Sequence, residues 1–305
     1  MKLLVTGAWK ATAEQLDALR GLGHEIIFQQ QEKDPLVCPY ESVEGVIANG
    51  LFLFHPIEKF TNLRYIQLTS AGFDRVPMDY VKAHGIEIHN ARGVYSVPMA
   101  EHAIAGVLAL YRRLHDFRAF QQQRRWEKLR DLEELNGKSV LILGCGSVGT
   151  ECARRFAAFN CRVIGVDVVS FTPDRAFQEF HLLNELDALL PQADIVVLTL
   201  PLTDDTRKLL DTRRLALLKD GAVLVSISRG AVIDQEALTA EIVSNRLRAV
   251  LDVFDNEPLE DSSPFWNAPN AIVTPHVSFV GDQNSERLNE VIQKNLQVRC
   301  LQKSI

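Results

Sequence analysis

A chain of 305 residues, 47% hydrophobic and 24% charged, has the balance of an ordinary globular protein, with apolar material for one large core or two ordinary ones. Its formal net charge of −6 disfavours a nucleic-acid partner. No apolar run approaches the roughly 18 residues of a membrane span, and the opening MKLLVTG reads as a strand and not a leader, so a soluble cytoplasmic protein is expected. The cysteines Cys38, Cys145, Cys152, Cys161 and Cys300 are scattered and never form a Cys-x-x-Cys pair. That pattern suits free thiols in a reducing compartment and gives no disulfide framework and no metal site.

The first ninety residues alternate. Short β-rich runs, 2-KLLVTG-7, 24-HEIIFQ-29, 45-GVIAN-49, 65-YIQLTS-70 and 86-IEIHN-90, are separated by amphipathic or turn-rich pieces such as 12-TAEQLDALRGLG-23. Strands alternating with helices predict a parallel sheet covered on both faces. Next, 98-PMAEHAIAGVLALYRRLHDF-117 reads as one long boundary helix opened by Pro98, followed by the arginine-rich 118-RAFQQQRRWEKLR-130. A second alternating series has strand candidates 139-SVLILG-144, 162-RVIGVD-167, 194-DIVVLTL-200, 222-AVLVSIS-228, 248-RAVLDVF-254 and 271-AIVTPH-276. Near-continuous Val, Ile and Leu is what a strand buried on both faces requires. The segment 284-NSERLNEVIQKNLQVRC-300 reads as a last amphipathic helix.

The glycines Gly144, Gly146 and Gly149 in 139-SVLILGCGSVGTECARRF-156 follow a predicted strand and open a predicted helix. Gly-x-Gly-x-x-Gly in that context removes side chains where a pyrophosphate must approach the backbone, and aims helix N–H groups at the phosphates. The next strand ends in Asp167, placed to accept bonds from the ribose hydroxyls of an adenosine. A carboxylate there repels a 2′-phosphate, and Val168 and Val169 follow it with no arginine at hand, so NAD is favoured over NADP.

Further candidates end other strands. Arg229, in 226-SISRGAVID-234, stands where a buried strand gives way to a loop; it is either a carboxylate clamp or a surface arginine. The stretch 251-LDVFDNEPLE-260 carries Asp252, Asp255, Glu257 and Glu260, and acid clusters after strands are often solvated loops. His276 follows an apolar strand and a proline. An arginine, an acid and a histidine after separate strands of one sheet can converge. A carboxylate beside an imidazole favours its protonated form, so such a pair could supply a proton while a nicotinamide supplies a hydride.

The sequence resembles the D-isomer-specific 2-hydroxyacid dehydrogenases, in the manner of a phosphoglycerate dehydrogenase without a regulatory domain. The matching pieces are 70-SAGFDRVP-77, 93-GVYSVPMAEHA-103, GCGSVG with Asp167, 200-LPLTDDT-206, 228-SRGAVID-234, 251-LDVFDNEPL-259, 264-PFW-266 and 269-PNAIVTPH-276, in family order over nearly the whole chain. The resemblance implies an α/β fold of two doubly wound parallel-sheet domains with a cleft between: a flavodoxin-like substrate domain, residues 1–97 plus 281–305, and a Rossmann NAD-binding domain, residues 98–280. It further implies that His276 protonates the carbonyl oxygen of a 2-oxo acid, that Glu257 holds the imidazole, and that Arg229 binds the substrate carboxylate with help from backbone N–H groups of Ala71 and Gly72. Asp252 would sit near the nicotinamide carboxamide, Ser147 and Val148 would contact the pyrophosphate, and Pro201 and Thr203 would border the adenosine pocket. The helix at 98–117 would build a homodimer.

Where the family usually runs through small residues after the histidine, this chain has Val277-Ser278-Phe279-Val280-Gly281. The loop 49-NGLFLFHP-56 is rich in large apolar residues, which either pack or favour a larger substrate side chain. The resemblance leaves one alternative from another class, an NAD(H)-sensing, corepressor-like interaction protein with little turnover. A nucleic-acid contact through 112–130 is disfavoured, because the acidic 131-DLEEL-135 follows at once.

Overall fold

The computed structural model describes the backbone of residues 1–302 and the side chains of residues 1–297, so the Cys300 thiol and residues 303–305 lie outside the described residues. The chain divides into two compact units, Met1–Tyr95 with Gly281–Ile305, and Ser96–Val280.

In the first unit the elements run β1 (Lys2–Thr6), α1 (Ala13–Gly21), β2 (Glu25–Gln29), β3 (Gly45–Ala48), β4 (Tyr65–Leu68), α2 (Met78–Ala83) and β5 (Glu87–His89). Helix α1 begins where the Thr12 hydroxyl accepts the Gln15 N–H at 3.3 Å and the Gln15 side chain accepts the Thr12 N–H at 3.0 Å, a reciprocal capping box. The strands are all parallel, in the order β2-β1-β3-β4-β5, the flavodoxin-like winding. Side chains alternate between the faces. Leu4, Val46, Ile66 and Leu68 pack with Phe60 on one. Leu3, Val5, Ile47 and Tyr65 pack on the other with Trp9, Leu19 and, from the returning chain, Leu288, Ile292 and Leu296.

The second unit holds α3 (Ser96–Tyr111), α4 (Leu114–Gln122), β6 (Ser139–Leu143), α5 (Ser147–Ala158), β7 (Arg162–Asp167), β8 (Glu179–Leu182), α6 (Leu186–Leu189), β9 (Ile195–Leu198), α7 (Thr212–Ala216), β10 (Val223–Ser226), α8 (Gln235–Val243), β11 (Arg248–Leu251) and β12 (Ala271–Val273); α9 (Asn284–Gln302) closes the chain in the first unit. Its seven strands are parallel in the order β12-β11-β10-β9-β6-β7-β8. That is the Rossmann winding with one extra strand, and its order reverses between β6 and β9. Val140, Ile142, Val197, Val223 and Val225 lie under α3 and α5, while Leu141, Leu143, Val196, Leu198 and Leu224 face α6, α7 and α8. Strands buried on both faces explain the continuous apolar runs in the sequence.

The structure departs from the sequence pattern at three places. The helix expected over 98–117 is two, α3 and α4, broken at Arg113, which takes a left-handed φ of 50°. The Arg113 guanidinium holds the break by donating to Asp116 at 2.6 Å and to Asp131 at 2.6 Å, contacts that helical periodicity does not register. The arginine-rich piece 118–130 is helical only as far as Gln122, and residues 125–135 carry no regular structure. Strand β8 was not expected: Glu179-Phe180-His181-Leu182 lies at the sheet edge, half exposed, so it lacks the apolar run that marks its neighbours.

Candidate active site

Each glycine of the loop between β6 and α5 answers a different constraint. Gly144 has φ +101°, and a Cβ there would lie 2.7 Å from the backbone N of Leu200 after β9. At Gly149 a Cβ would lie 1.9 Å from the Gly144 carbonyl oxygen, so only glycine lets α5 approach its strand. A Cβ at Gly146 would meet nothing within 4 Å. That space opens at the N-terminus of α5, which no side chain caps and where Ser147 and Val148 supply the first helical N–H groups. The site fits a pyrophosphate: an open approach, oriented N–H donors, and the positive end of a helix dipole.

Asp167, at the end of β7, is 8% exposed. Its Oδ2 accepts the Cys145 N–H at 2.7 Å and its Oδ1 the Val168 N–H at 2.7 Å, so the carboxylate is fixed against the glycine loop with acceptor positions left for a diol. The Thr199 hydroxyl, beyond β9, binds the Gly144 carbonyl at 2.6 Å. Pro201 and Thr203 are exposed in the loop that follows. The buried Thr206 hydroxyl shapes that loop, donating to the Pro201 carbonyl at 2.6 Å and accepting the Thr203 N–H at 2.8 Å.

The acid–base candidates gather on the same carboxyl edge, where β10, β11 and β12 lie side by side. Arg229 follows β10, its Nη1 donating to the Ser228 carbonyl at 2.8 Å. Its neighbour Gly230 packs so closely on the Phe254–Asp255 backbone that a Cβ would lie 2.1 Å from the Phe254 carbonyl carbon. Glu257 is anchored through Oε1, which accepts the Phe254 N–H at 3.0 Å, and its Oε2 lies 2.7 Å from His276 Nδ1. Nδ1 is thereby the protonated donor to the carboxylate, and the Nε2 side of the ring is left for chemistry. The pair is partly open, the side chains 40% and 36% exposed. The Phe279 ring stands edge to face with the imidazole, centroids 5.9 Å apart.

Asp252 is fully buried beneath this turn. Its Oδ1 accepts the Thr274 hydroxyl at 2.6 Å and the Val277 N–H at 2.9 Å, its Oδ2 the Ser278 N–H at 2.8 Å, and its carbonyl the His276 N–H at 2.9 Å. The family resemblance implied a place for Asp252 near the nicotinamide carboxamide, but the sequence gave no sign of this bonding, nor of Thr274 and His102, whose Nε2 lies 3.1 Å from the Thr274 hydroxyl. His102 and Thr274 are far apart in the chain, and nothing in their local sequence links them.

In the first unit, Ala71 and Gly72 follow β4. The Ser70 hydroxyl donates to the Gly72 carbonyl at 3.1 Å and the Asn90 amide to the Ala71 carbonyl at 2.5 Å. The loop after β3, next to it in the sheet, is held by Glu32, which accepts the Asn49 and Gly50 N–H groups at 2.7 Å each and the Thr6 hydroxyl at 2.8 Å. Leu51 is buried and Phe52 packs on Phe60, whereas Leu53 and Phe54 are 61% and 55% exposed. The packing reading of the apolar loop holds for Leu51 and Phe52.

Among the described residues no cluster of His, Cys, Asp or Glu could hold a metal ion, and no helix is long and apolar enough to cross a membrane.

Residues 104–278 match the model of the D-isomer specific 2-hydroxyacid dehydrogenase NAD-binding domain. The chain is 30% identical to a hydroxypyruvate reductase of Thermotoga maritima over 278 residues, covering 88% of this chain and 89% of that protein. It is 27% identical to a glyoxylate reductase of Thermofilum pendens over 285 residues, 89% of this chain and 80% of the other. A solved structure from Thermus thermophilus superimposes with a TM-score of 0.77 at 30% identity, covering 99% of this chain and 97% of that one. With a glycine loop shaped for a dinucleotide and a histidine–glutamate pair on the same sheet edge, the chain belongs to the D-isomer specific 2-hydroxyacid dehydrogenase family, NAD-dependent oxidoreductases of 2-hydroxy acids.

Proposed function

We propose that the protein works as a 2-oxo acid reductase that forms D-2-hydroxy acids. The observation that carries this reading is the 2.7 Å contact of His276 Nδ1 with Glu257, which turns Nε2 into the proton donor. NADH, when bound, supplies the hydride that adds to the carbonyl carbon. His276 Nε2 gives its proton to the carbonyl oxygen, and Glu257 fixes the tautomer and offsets the charge of the imidazolium. Arg229 grips the substrate carboxylate with two parallel bonds and polarises the adjacent carbonyl. The first unit, with the backbone N–H groups of Ala71 and Gly72, serves as the substrate domain and the second as the NAD domain.

For the coenzyme, Ser147 and Val148 hold the pyrophosphate, Asp167 the adenosine ribose, and Pro201 and Thr203 border the adenine side. Asp252, fully buried, serves the nicotinamide side of the site by holding the turn that carries His276, its carboxylate taken up by three donors. NADH is preferred over NADPH because Asp167 repels a 2′-phosphate. The exposed Leu53 and Phe54 favour an oxo acid with an apolar side chain. Helix α3 and the arm beyond it, where Leu114 and Trp126 are 54% and 97% exposed, form a homodimer interface, and the protein acts in the cytoplasm.

The test is NADH oxidation against a panel of 2-oxo acids from glyoxylate to phenylpyruvate, with NADPH in parallel. Turnover that favours apolar oxo acids and NADH is expected. NADH binding with no turnover on any member would overturn the reductase reading in favour of an NAD(H)-sensing interaction protein.

A further inference from the structure

We propose that Thr274 and His102 are positioning residues for His276: a hydrogen-bond chain running from His102 through the Thr274 hydroxyl to the buried Asp252 carboxylate fixes the turn on which the histidine stands. The inference rests on the reading of His276 as the proton donor.

His276 has a φ of +51°, a left-handed conformation that a non-glycine residue keeps only where its surroundings impose it. What imposes it here is Asp252. Two backbone N–H groups just past His276, those of Val277 and Ser278, point at its carboxylate, and the His276 N–H itself points at its carbonyl. A clamp of this kind works only if the carboxylate stays still. Its third donor is the Thr274 hydroxyl at 2.6 Å, on the residue two before His276, so the carboxylate bridges both sides of the turn.

The direction of the chain follows from the inventory of protons. An ionised carboxylate only accepts, so the single Thr274 hydroxyl proton goes to Asp252. The threonine oxygen can then only accept from His102, whose Nε2, 3.1 Å away, carries the proton. His102 stands on α3, between Ala100 and Ala103, both fully buried in the core, so the chain ends on a fixed element. Of these residues only His276 has an imidazole paired with Glu257; Thr274 and His102 act through the turn. Displacing a reacting group by about 1 Å can cost two orders of magnitude in rate while leaving binding intact.

The experiment compares Thr274→Val, which keeps the shape and loses the hydroxyl, with Thr274→Ser, which keeps the hydroxyl. It adds His102→Leu against His102→Gln, whose amide can still donate. Thermal unfolding and NADH titration establish that each variant folds and binds. The expected result is a fall in kcat of about tenfold or more for Thr274→Val, with the NADH Kd within about twofold of wild type and a larger solvent isotope effect as proton transfer becomes slower. Thr274→Ser recovers most of that loss, and His102→Gln keeps more turnover than His102→Leu. Wild-type kcat in Thr274→Val, or no recovery in Thr274→Ser, would overturn the inference. His276→Ala is run alongside: if it turns over normally, the underlying proton-donor reading fails; if it is inactive while Thr274→Val is not impaired, only the positioning chain fails.

Discussion

Two regions on one sheet edge are built by opposite means. The loop between β6 and α5 is a backbone site. Its glycines take side chains away, so that a chain with φ +101° at Gly144 and a helix tight against its strand at Gly149 can present N–H groups. The turn after β12 is a side-chain site. There a buried carboxylate, a threonine, a glutamate and a phenylalanine are brought in to hold one imidazole. The first site tolerates almost no added atoms; the second depends on specific atoms being present. Backbone sites are local in sequence, side-chain sites are not.

The comparison is sharpest where the effects are largest. His276→Ala should lower kcat by about 10²- to 10⁴-fold while NADH still binds, because it removes chemistry and not the coenzyme site. Turnover close to wild type would end the side-chain description. Gly149→Ala should act in the reverse sense. A Cβ facing backbone oxygen at 1.9 Å forces α5 away, at a cost of about 3 kcal/mol, read as a lowered Tm together with weakened NADH binding. An unchanged melting curve would show that the close approach is not needed.

Asp167→Ala stands between the two, a side chain serving the backbone site. Losing a charged hydrogen-bond acceptor should weaken NADH by about 1.5–3 kcal/mol and narrow the gap to NADPH. Parallel titrations of both coenzymes check this, and an unchanged ratio would remove the ribose assignment. Phe279→Ala should cost less than about tenfold in kcat, the scale of one aromatic edge contact, and any effect on NADH binding would contradict its place beside the imidazole. The smallest effect expected is on thiol chemistry. Burial pushes the Cys145 and Cys152 thiols up to about 12 and Cys161 up to about 11, so all three stay neutral at pH 8. Peptide mapping after alkylation of the native protein should find them unmodified, and modification at Cys145 would mean that the glycine loop opens.

Parallel sheets covered on both faces were legible from the alternation of apolar runs and amphipathic segments, because a strand covered on both faces must be apolar throughout, whereas the division into two doubly wound domains came with the family resemblance. The glycine loop and Asp167 were legible because spacing, order and residue type suffice to specify a site made of backbone. The half-exposed β8 carried no such signal, and the break at Arg113 depends on a partner, Asp131, outside the helix. For the acid–base turn the sequence supplied the residues Arg229, Glu257 and His276 and, through family resemblance, their roles. It did not supply what holds them. That His276 takes a left-handed φ, that Asp252 spends its carboxylate on the turn, and that a histidine on α3 reaches it through Thr274 are decided by hydrogen bonds between segments the fold brings together. Local composition encodes which strands are buried and which glycines are required. It cannot encode which distant donor will meet a buried carboxylate, because that is settled only when the strands have taken their places in the sheet.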